Sequence, residues 1–188
     1  MAFTSQEKMT IDQIVENSRA SITKEDLRKL LLLLSNKEIK NILEIGTWKG
    51  YSSRVWLDFF EPDKFMTMEK DEEVIVEEWI GKKGCDSLYL KCDSHNEESL
   101  TKAKTFFHSE IDFLFIDGDH GYEGVKQDWE MYRPLVKPGG VIVLHDVVYT
   151  ALNPDVQVKP LWDELKRDNK YVEIKSGQDS TGMGVIFV

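Results

Sequence analysis

Apolar positions in this chain gather into short unbroken runs, and longer stretches with helical spacing separate them. The runs are NILEIG (41–46), FMTMEK (65–70), SLYLKCD (87–93), DFLFID (112–117) and VIVLHD (141–146). Short continuous runs bounded by turn residues are the pattern of strands covered on both faces. Helices are predicted between them over 47–60, 71–84, 96–108 and 122–136. The 71–84 segment starts with acidic residues and ends in lysines and Gly84, as the helix dipole favours. Strands alternating with helices imply right-handed crossovers and a parallel sheet. After Asp146 the pattern changes to an irregular stretch (147–160), a helix (160–169) and two strands (171–176 and 183–188). The short link GQDSTG suits an antiparallel arrangement of that last pair.

Upstream, Ile11, Ile14 and Val15 recur at helical spacing within Thr10–Ala20. A second helix starts near Thr23, where Thr23 and Asp26 resemble a capping box, and runs through LRKLLLLL. The expected architecture is α/β: a three-layer sandwich with a seven-stranded, mostly parallel sheet whose last strand is antiparallel. One domain is expected over residues 1–188, with the helices of 1–40 as a lid or a dimer contact.

Charge narrows the partners. The 188 residues carry a formal net charge of −10, which weighs against a nucleic-acid backbone as ligand. No apolar stretch is long enough to span a bilayer, and the opening MAFTSQEKMT lacks the apolar core of a signal peptide. Cys85 and Cys92 have no metal-type spacing and read as reduced, buried thiols, in keeping with a cytoplasmic setting. A homo-oligomer stays open.

Candidate chemistry begins at the turn LEIGTWKGYSS, where Gly46 and Gly50 allow a ligand to approach the backbone and a helix start. A dinucleotide fingerprint needs a glycine where this chain has Trp48, so NAD and FAD are disfavoured on steric grounds. The second strand ends at Glu69, placed to accept hydrogen bonds from both hydroxyls of a ribose. A cofactor with a ribose and no diphosphate fits both features. Two further strands end in carboxylates and imidazoles: Asp117, Asp119 and His120 follow one, and His145 and Asp146 close the other. Ligands of open parallel sheets bind beyond the carboxyl ends of the strands, so these groups are expected around one crevice. There they can hold a metal or move a proton. His145 is the stronger candidate base, because its strand end aims it at the crevice; His120 is the other.

The segment Glu44–Gly50 resembles the first motif of class I S-adenosylmethionine-dependent methyltransferases. FIDGDHGYEGVKQDW, KPGGVIVLHD and TGMGVIFV together resemble the small-molecule O-methyltransferase, cephalosporin-hydroxylase-like branch. The resemblance covers about Ile42 to the C-terminus and implies a Rossmann-like methyltransferase fold. It implies that Glu44, Gly46, Thr47 and Gly50 line the methionine part of S-adenosyl-L-methionine, and that Glu69 binds the ribose. Asp93 and Ser94 then lie near the adenine, with Asp117 close to the sulfonium, a fixed cation favoured beside carboxylates. In metal-dependent relatives the matching ligands are Asp117, His145 and Asp146. Magnesium prefers oxygen donors, and the imidazole of His145 also admits zinc, manganese or iron. An iron site of His120, His145 and Asp146 lacks the HxD motif that would support it.

The implied activity is methyl transfer to a hydroxyl of a small molecule, a sugar or natural-product scaffold. Rival readings are a nucleotide-dependent oxidoreductase and a ligand-binding module without turnover. Tyr122, Trp129 and Tyr132 are spaced as a helix interface, and Asp128 reads as a helix-surface charge. Acceptor contacts are expected from the loop 147–159, with Tyr149, Asn153 and Asp155, and from the helix 160–169.

Overall fold

The computed structural model describes residues 9–71, 84–108, 110–149 and 155–188. Its elements are α1 (Ile11–Asn17), α2 (Lys24–Leu34), β1 (Asn41–Ile45), α3 (Tyr51–Phe60), β2 (Lys64–Glu69) and β3 (Asp86–Lys91), followed by α4 (Glu97–Phe107), β4 (Ile111–Ile116) and α5 (Tyr122–Tyr132). A 3-10 turn (Arg133–Leu135) leads into β5 (Val136–His145), then α6 (Val158–Leu165), β6 (Lys170–Ile174) and β7 (Met183–Phe187). The helix expected over 71–84 lies almost wholly outside the described residues.

Seven strands form one sheet in the order β3-β2-β1-β4-β5-β7-β6. Pairings from β3 to β5 are parallel, and β7 is antiparallel to both of its neighbours. The expected antiparallel last strand is therefore present, inserted between β5 and β6 and covered on both sides. The chain reverses between β1 and β4, the kind of switch point where ligands bind in open sheets.

Alternation along β1 sends its residues to two cores. Leu43 and Ile45 join Leu114, Ile142 and Leu144 under α4, α5 and α6, while Ile42 joins Phe65, Phe113 and Phe115 under α1, α2 and α3. The leucine run of α2 buries Leu27, Leu30, Leu31 and Leu34 on the sheet and leaves Leu32 exposed. Trp56 of α3, fully buried, packs against Phe113 and Phe115 with ring centroids 5.2 and 5.0 Å away.

The helix starts differ from expectation in one respect. Thr10 and Gln13 form the reciprocal capping box, at α1. At α2, Thr23 accepts from the Asp26 N–H, but the Asp26 carboxylate turns away to the Ser180 hydroxyl. β5 also begins five residues before the predicted run, because Val136 already pairs with Ile111 ahead of a register shift.

Register sets the site. Ile45 pairs with Met68 and Ile116, and Ile116 with Leu144. Gly46, Glu69, Asp117 and His145 therefore leave the sheet together. The ladder even continues past the strands, with Gly46 N–H bonded to Met68 O (3.0 Å) and Asp117 N–H to Ile45 O (2.8 Å).

Candidate active site

Beyond those strand ends lies a crevice of about 830 Å³. Gly46 stands at its floor with φ 91°, and a Cβ there would lie 2.0 Å from the Asp117 carbonyl oxygen. Only glycine allows β1 and β4 to exit so close together. Trp48 follows at φ 44°, in the left-handed region that bulky residues rarely adopt, and is half exposed at the crevice. Glu69 holds it there: Oε2 accepts the Trp48 N–H (2.6 Å), while Oε1 accepts those of Lys70 (2.8 Å) and Asp71 (3.0 Å). Thr47 is fixed by a hydroxyl pair with Thr67 (2.5 Å).

After β3, the Asp93 carboxylate accepts the His95 N–H (3.0 Å) and lies 3.6 Å from the Lys70 ammonium. That backbone bond, more than the lysine, lowers its pKa. The neighbouring Ser94 carbonyl accepts the Tyr132 hydroxyl (2.6 Å), tying this wall to α5.

Four titratable groups converge across β4 and β5. His145 Nδ1 lies 3.1 Å from Asp117 and 3.3 Å from Asp146; His120 Nε2 lies 3.3 Å from Asp117 and 3.5 Å from Asp146. Burial alone would lower the His145 pKa, but Asp117 and Asp146 overcome it and raise it to about 9. Burial also works against the charge of Asp117, yet the two imidazoles hold its pKa down to about 2. The Asp117 hydrogen bond likewise raises His120, against burial. His145 is therefore protonated at neutral pH and sealed in the wall, with a side chain 7% exposed, whereas the His120 side chain is 44% exposed. His145, expected as the leading base, is thus a buried imidazolium held between two carboxylates.

The metal expectation shifts in the same direction. The three donors that converge within 4.8 Å are those of Asp117, His120 and Asp146, with His120 in the place expected for His145. Two carboxylates and an imidazole suit a divalent cation, with the imidazole favouring transition metals and zinc over magnesium.

Gly46, Thr47, Glu69, Asp93, Ser94, Asp117, His120, His145 and Asp146 all line the crevice. Glu44 and Gly50 do not. Glu44 points from β1 to the α3 face, where its carboxylate meets the hydroxyls of Ser53 and Thr67 and the Trp56 N–H (3.0 Å). Complete burial, only partly offset by these donors, pushes its pKa up to about 7. Gly50 caps α3 at φ 69° instead.

Asp128 is also misplaced by the sequence reading. It is fully buried, 3.3 Å from His95 Nε2, and burial pushes its pKa up to about 6. Trp129 and Tyr132 are buried core residues, as their spacing predicts. Cys92 is not a sealed thiol but lines the crevice, where partial burial raises its pKa.

Among the expected acceptor groups, Tyr149 and Asp155 are exposed outside the lining and Asn153 lies outside the described residues. The loop still touches the site, since Gln157 N–H donates to His120 O (2.7 Å). Sequence reading missed His95, Asp26 and the 179–181 turn, all of which meet the crevice. His95, two residues past a strand-end aspartate, offered a signal; Asp26 and Ser180, 154 positions apart, offered none.

A family model described as a methyltransferase domain matches residues 43–147, more than half of the chain. An uncharacterized protein of Acanthamoeba polyphaga mimivirus is 28% identical over 82% of this chain and 66% of its own length. The chain spans only 13% of a second uncharacterized relative, from Sinorhizobium fredii, again at 28% identity. Among solved structures, the MycE methyltransferase of mycinamycin biosynthesis, held with Mg and SAH, aligns over 96% of this chain and 55% of its own. Its TM-score is 0.67 and its identity 16%. An O-methyltransferase from Bacillus cereus in complex with SAH aligns over 95% and 90%, with TM-score 0.65 and 19% identity. At such identities the structural likeness is one of fold.

Proposed function

This chain belongs to the methyltransferase-domain family, and from that premise we propose that it transfers a methyl group from S-adenosyl-L-methionine to a hydroxyl of a small molecule, a sugar or natural-product scaffold. The observation that carries this reading is the meeting of Asp117, His120, His145 and Asp146 beside the glycine turn and Glu69 in one crevice. The SAH held by the MycE and Bacillus cereus enzymes supports the choice of cofactor.

S-adenosyl-L-methionine, when bound, supplies the methyl group on a sulfonium. The protein's part is to bind, orient and move a proton. Gly46 and Thr47 form the floor for the methionine end, Glu69 receives the ribose hydroxyls, and Asp93 and Ser94 border the adenine. Asp117, kept ionised by its histidines, places negative charge beside the sulfonium. His145 fixes the direction of that carboxylate. On the acceptor side, His120 is exposed at the crevice; its Nε2 donates toward the carboxylates, which leaves Nδ1 as the ring nitrogen able to take the hydroxyl proton. Asp146 meets the same Nε2 and, with Asp117, orients the ring. Holding the acceptor oxygen in line with the methyl–sulfur bond supplies much of the rate.

Asp117, His120 and Asp146 also fit a divalent ion, which would bind the acceptor oxygen and lower its pKa. Magnesium is the first candidate given the Mg held by MycE, and zinc, manganese or iron follow from the imidazole. The partner is a small molecule; among the described residues no helix is long and apolar enough to cross a membrane.

Isothermal calorimetry tests the reading. Saturable binding of SAH is expected, with no heat from NADH. Binding of NADH and none of SAH would replace the methyltransferase by the oxidoreductase.

A further inference from the structure

The sheet order divides the crevice. Glu69 and Asp93 follow β2 and β3 on one side of the β1–β4 switch, while Asp146 and the segment before β7 lie on the other. On that second side the wall comes from two distant pieces of chain, Ser21, Ile22, Thr23 and Asp26 around the start of α2, and Asp179 and Thr181 before β7. A hydrogen bond between buried groups locks them: Ser180 donates its hydroxyl to Asp26 Oδ2 and receives the Gly182 N–H (3.1 Å). Asp26 is 2% exposed, and its other oxygen, Oδ1, is buried without a hydrogen-bond partner. No lysine or arginine is paired with it among the described residues, and the cation that feels its charge is His145.

A buried carboxylate oxygen with no donor is costly unless something supplies one. Besides the apolar Ala20 and Ile22 and the two carboxylate-paired imidazoles, the rest of this half-crevice offers acceptors and hydroxyls: carboxylates of Asp146 and Asp179, and hydroxyls of Ser21, Thr23 and Thr181. Among the described residues the lysine that lines the crevice, Lys70, lies beside Asp93 after β2 and β3.

We propose that this half-crevice is the acceptor subsite and that Asp26, locked by Ser180, is its specificity residue, selecting hydroxylated acceptors that are neutral or cationic and rejecting anionic ones. The proposal rests on the methyltransferase reading and deepens it. Asp26 Oδ1 takes a hydroxyl or ammonium donor of the acceptor, which brings the neighbouring hydroxyl toward His120 and the methyl group. An acceptor carboxylate or phosphate would meet Asp26, Asp146 and Asp179, while the imidazoles of His120 and His145 are already paired with Asp117 and Asp146, so the net like-charge cost sets specificity.

The test uses the full chain saturated with SAH and a matched series of methyl glycosides: glucoside, 2-amino-2-deoxyglucoside and glucuronide. Calorimetry should show the neutral and amino glycosides binding about tenfold or more tighter than the glucuronide. Asp26→Asn should shrink the preference for the amino glycoside several-fold while leaving SAH affinity unchanged, and Ser180→Ala should weaken the glycosides that bind. Equal or tighter binding of the glucuronide overturns the proposal, as does a charge preference that Asp26→Asn leaves intact. Failure of all three glycosides on SAH-saturated protein overturns it too. Failure of SAH itself to bind removes the methyltransferase reading instead, so the two failures are distinct.

Discussion

Glu44 shows how far a single side chain can depart from its motif. In the sequence it belongs to the glycine turn; in space it belongs to the core under α3, with Ser53, Trp56 and Thr67. Its pKa is raised from 4.5 to about 7, so the folded state holds a proton that the unfolded chain releases earlier. The stabilising contribution of the neutral form is complete below pH 4.5 and is lost as pH rises through about 7. The loss amounts to roughly 3 kcal/mol. Glu44→Gln keeps a neutral, hydrogen-bonding side chain at that place. Urea unfolding at pH 5 and pH 8.5 should show the wild type losing about 3 kcal/mol more than the variant between the two. Parallel profiles would mean that Glu44 titrates alike in the folded and unfolded chain. The sequence could place Glu44 on β1, but not say that the α3 face would claim it, because a period of two leaves both faces open until the helices are docked.

Among the elements, the β1–α3 turn carries the tightest constraint. At Gly46 a Cβ would lie 2.0 Å from the Asp117 carbonyl oxygen and 2.4 Å from its carbon, both backbone atoms, at φ 91°. Gly46→Ala should therefore cost about 2–4 kcal/mol and weaken SAH binding, since any relief must move the β1 and β4 exits apart. Gly177→Ala is the control: φ is 75° but nothing lies within 4 Å. It should cost only about 1 kcal/mol and leave SAH affinity alone. Chemical denaturation and SAH titration of both variants check this, and equal costs would refute the close-approach argument. The turn was legible in the sequence because glycines and Trp48 announce it. The helix boundaries were less so; the capping box belongs to Thr10 rather than Thr23, because Asp26 is drawn to Ser180, a partner 154 positions away.

The whole molecule decides which charged groups meet. Asp117 and His120 follow β4 and Asp146 follows β5, and their donor atoms converge only because Ile116 and Leu144 pair in register. If this trio takes a cation, Mn²⁺ or Mg²⁺ should raise the melting temperature of the wild type and not of Asp146→Asn. EDTA should reverse the gain. A gain that survives in Asp146→Asn would place the cation elsewhere, and none at all would leave the proton route through His120.

Read alone, the sequence determined the α/β alternation, the antiparallel final strand, the glycine turn after β1 and the two charged strand ends. Each of these is written locally, in apolar runs, glycines and the residues that close a strand. Tertiary structure decided that His145 is a buried imidazolium, that His120 joins Asp117 and Asp146, that Glu44 and Asp128 are core groups, and that Asp26 and Ser180 close the second half of the crevice. Burial and long-range pairing set protonation and direction, and neither is a property of a segment.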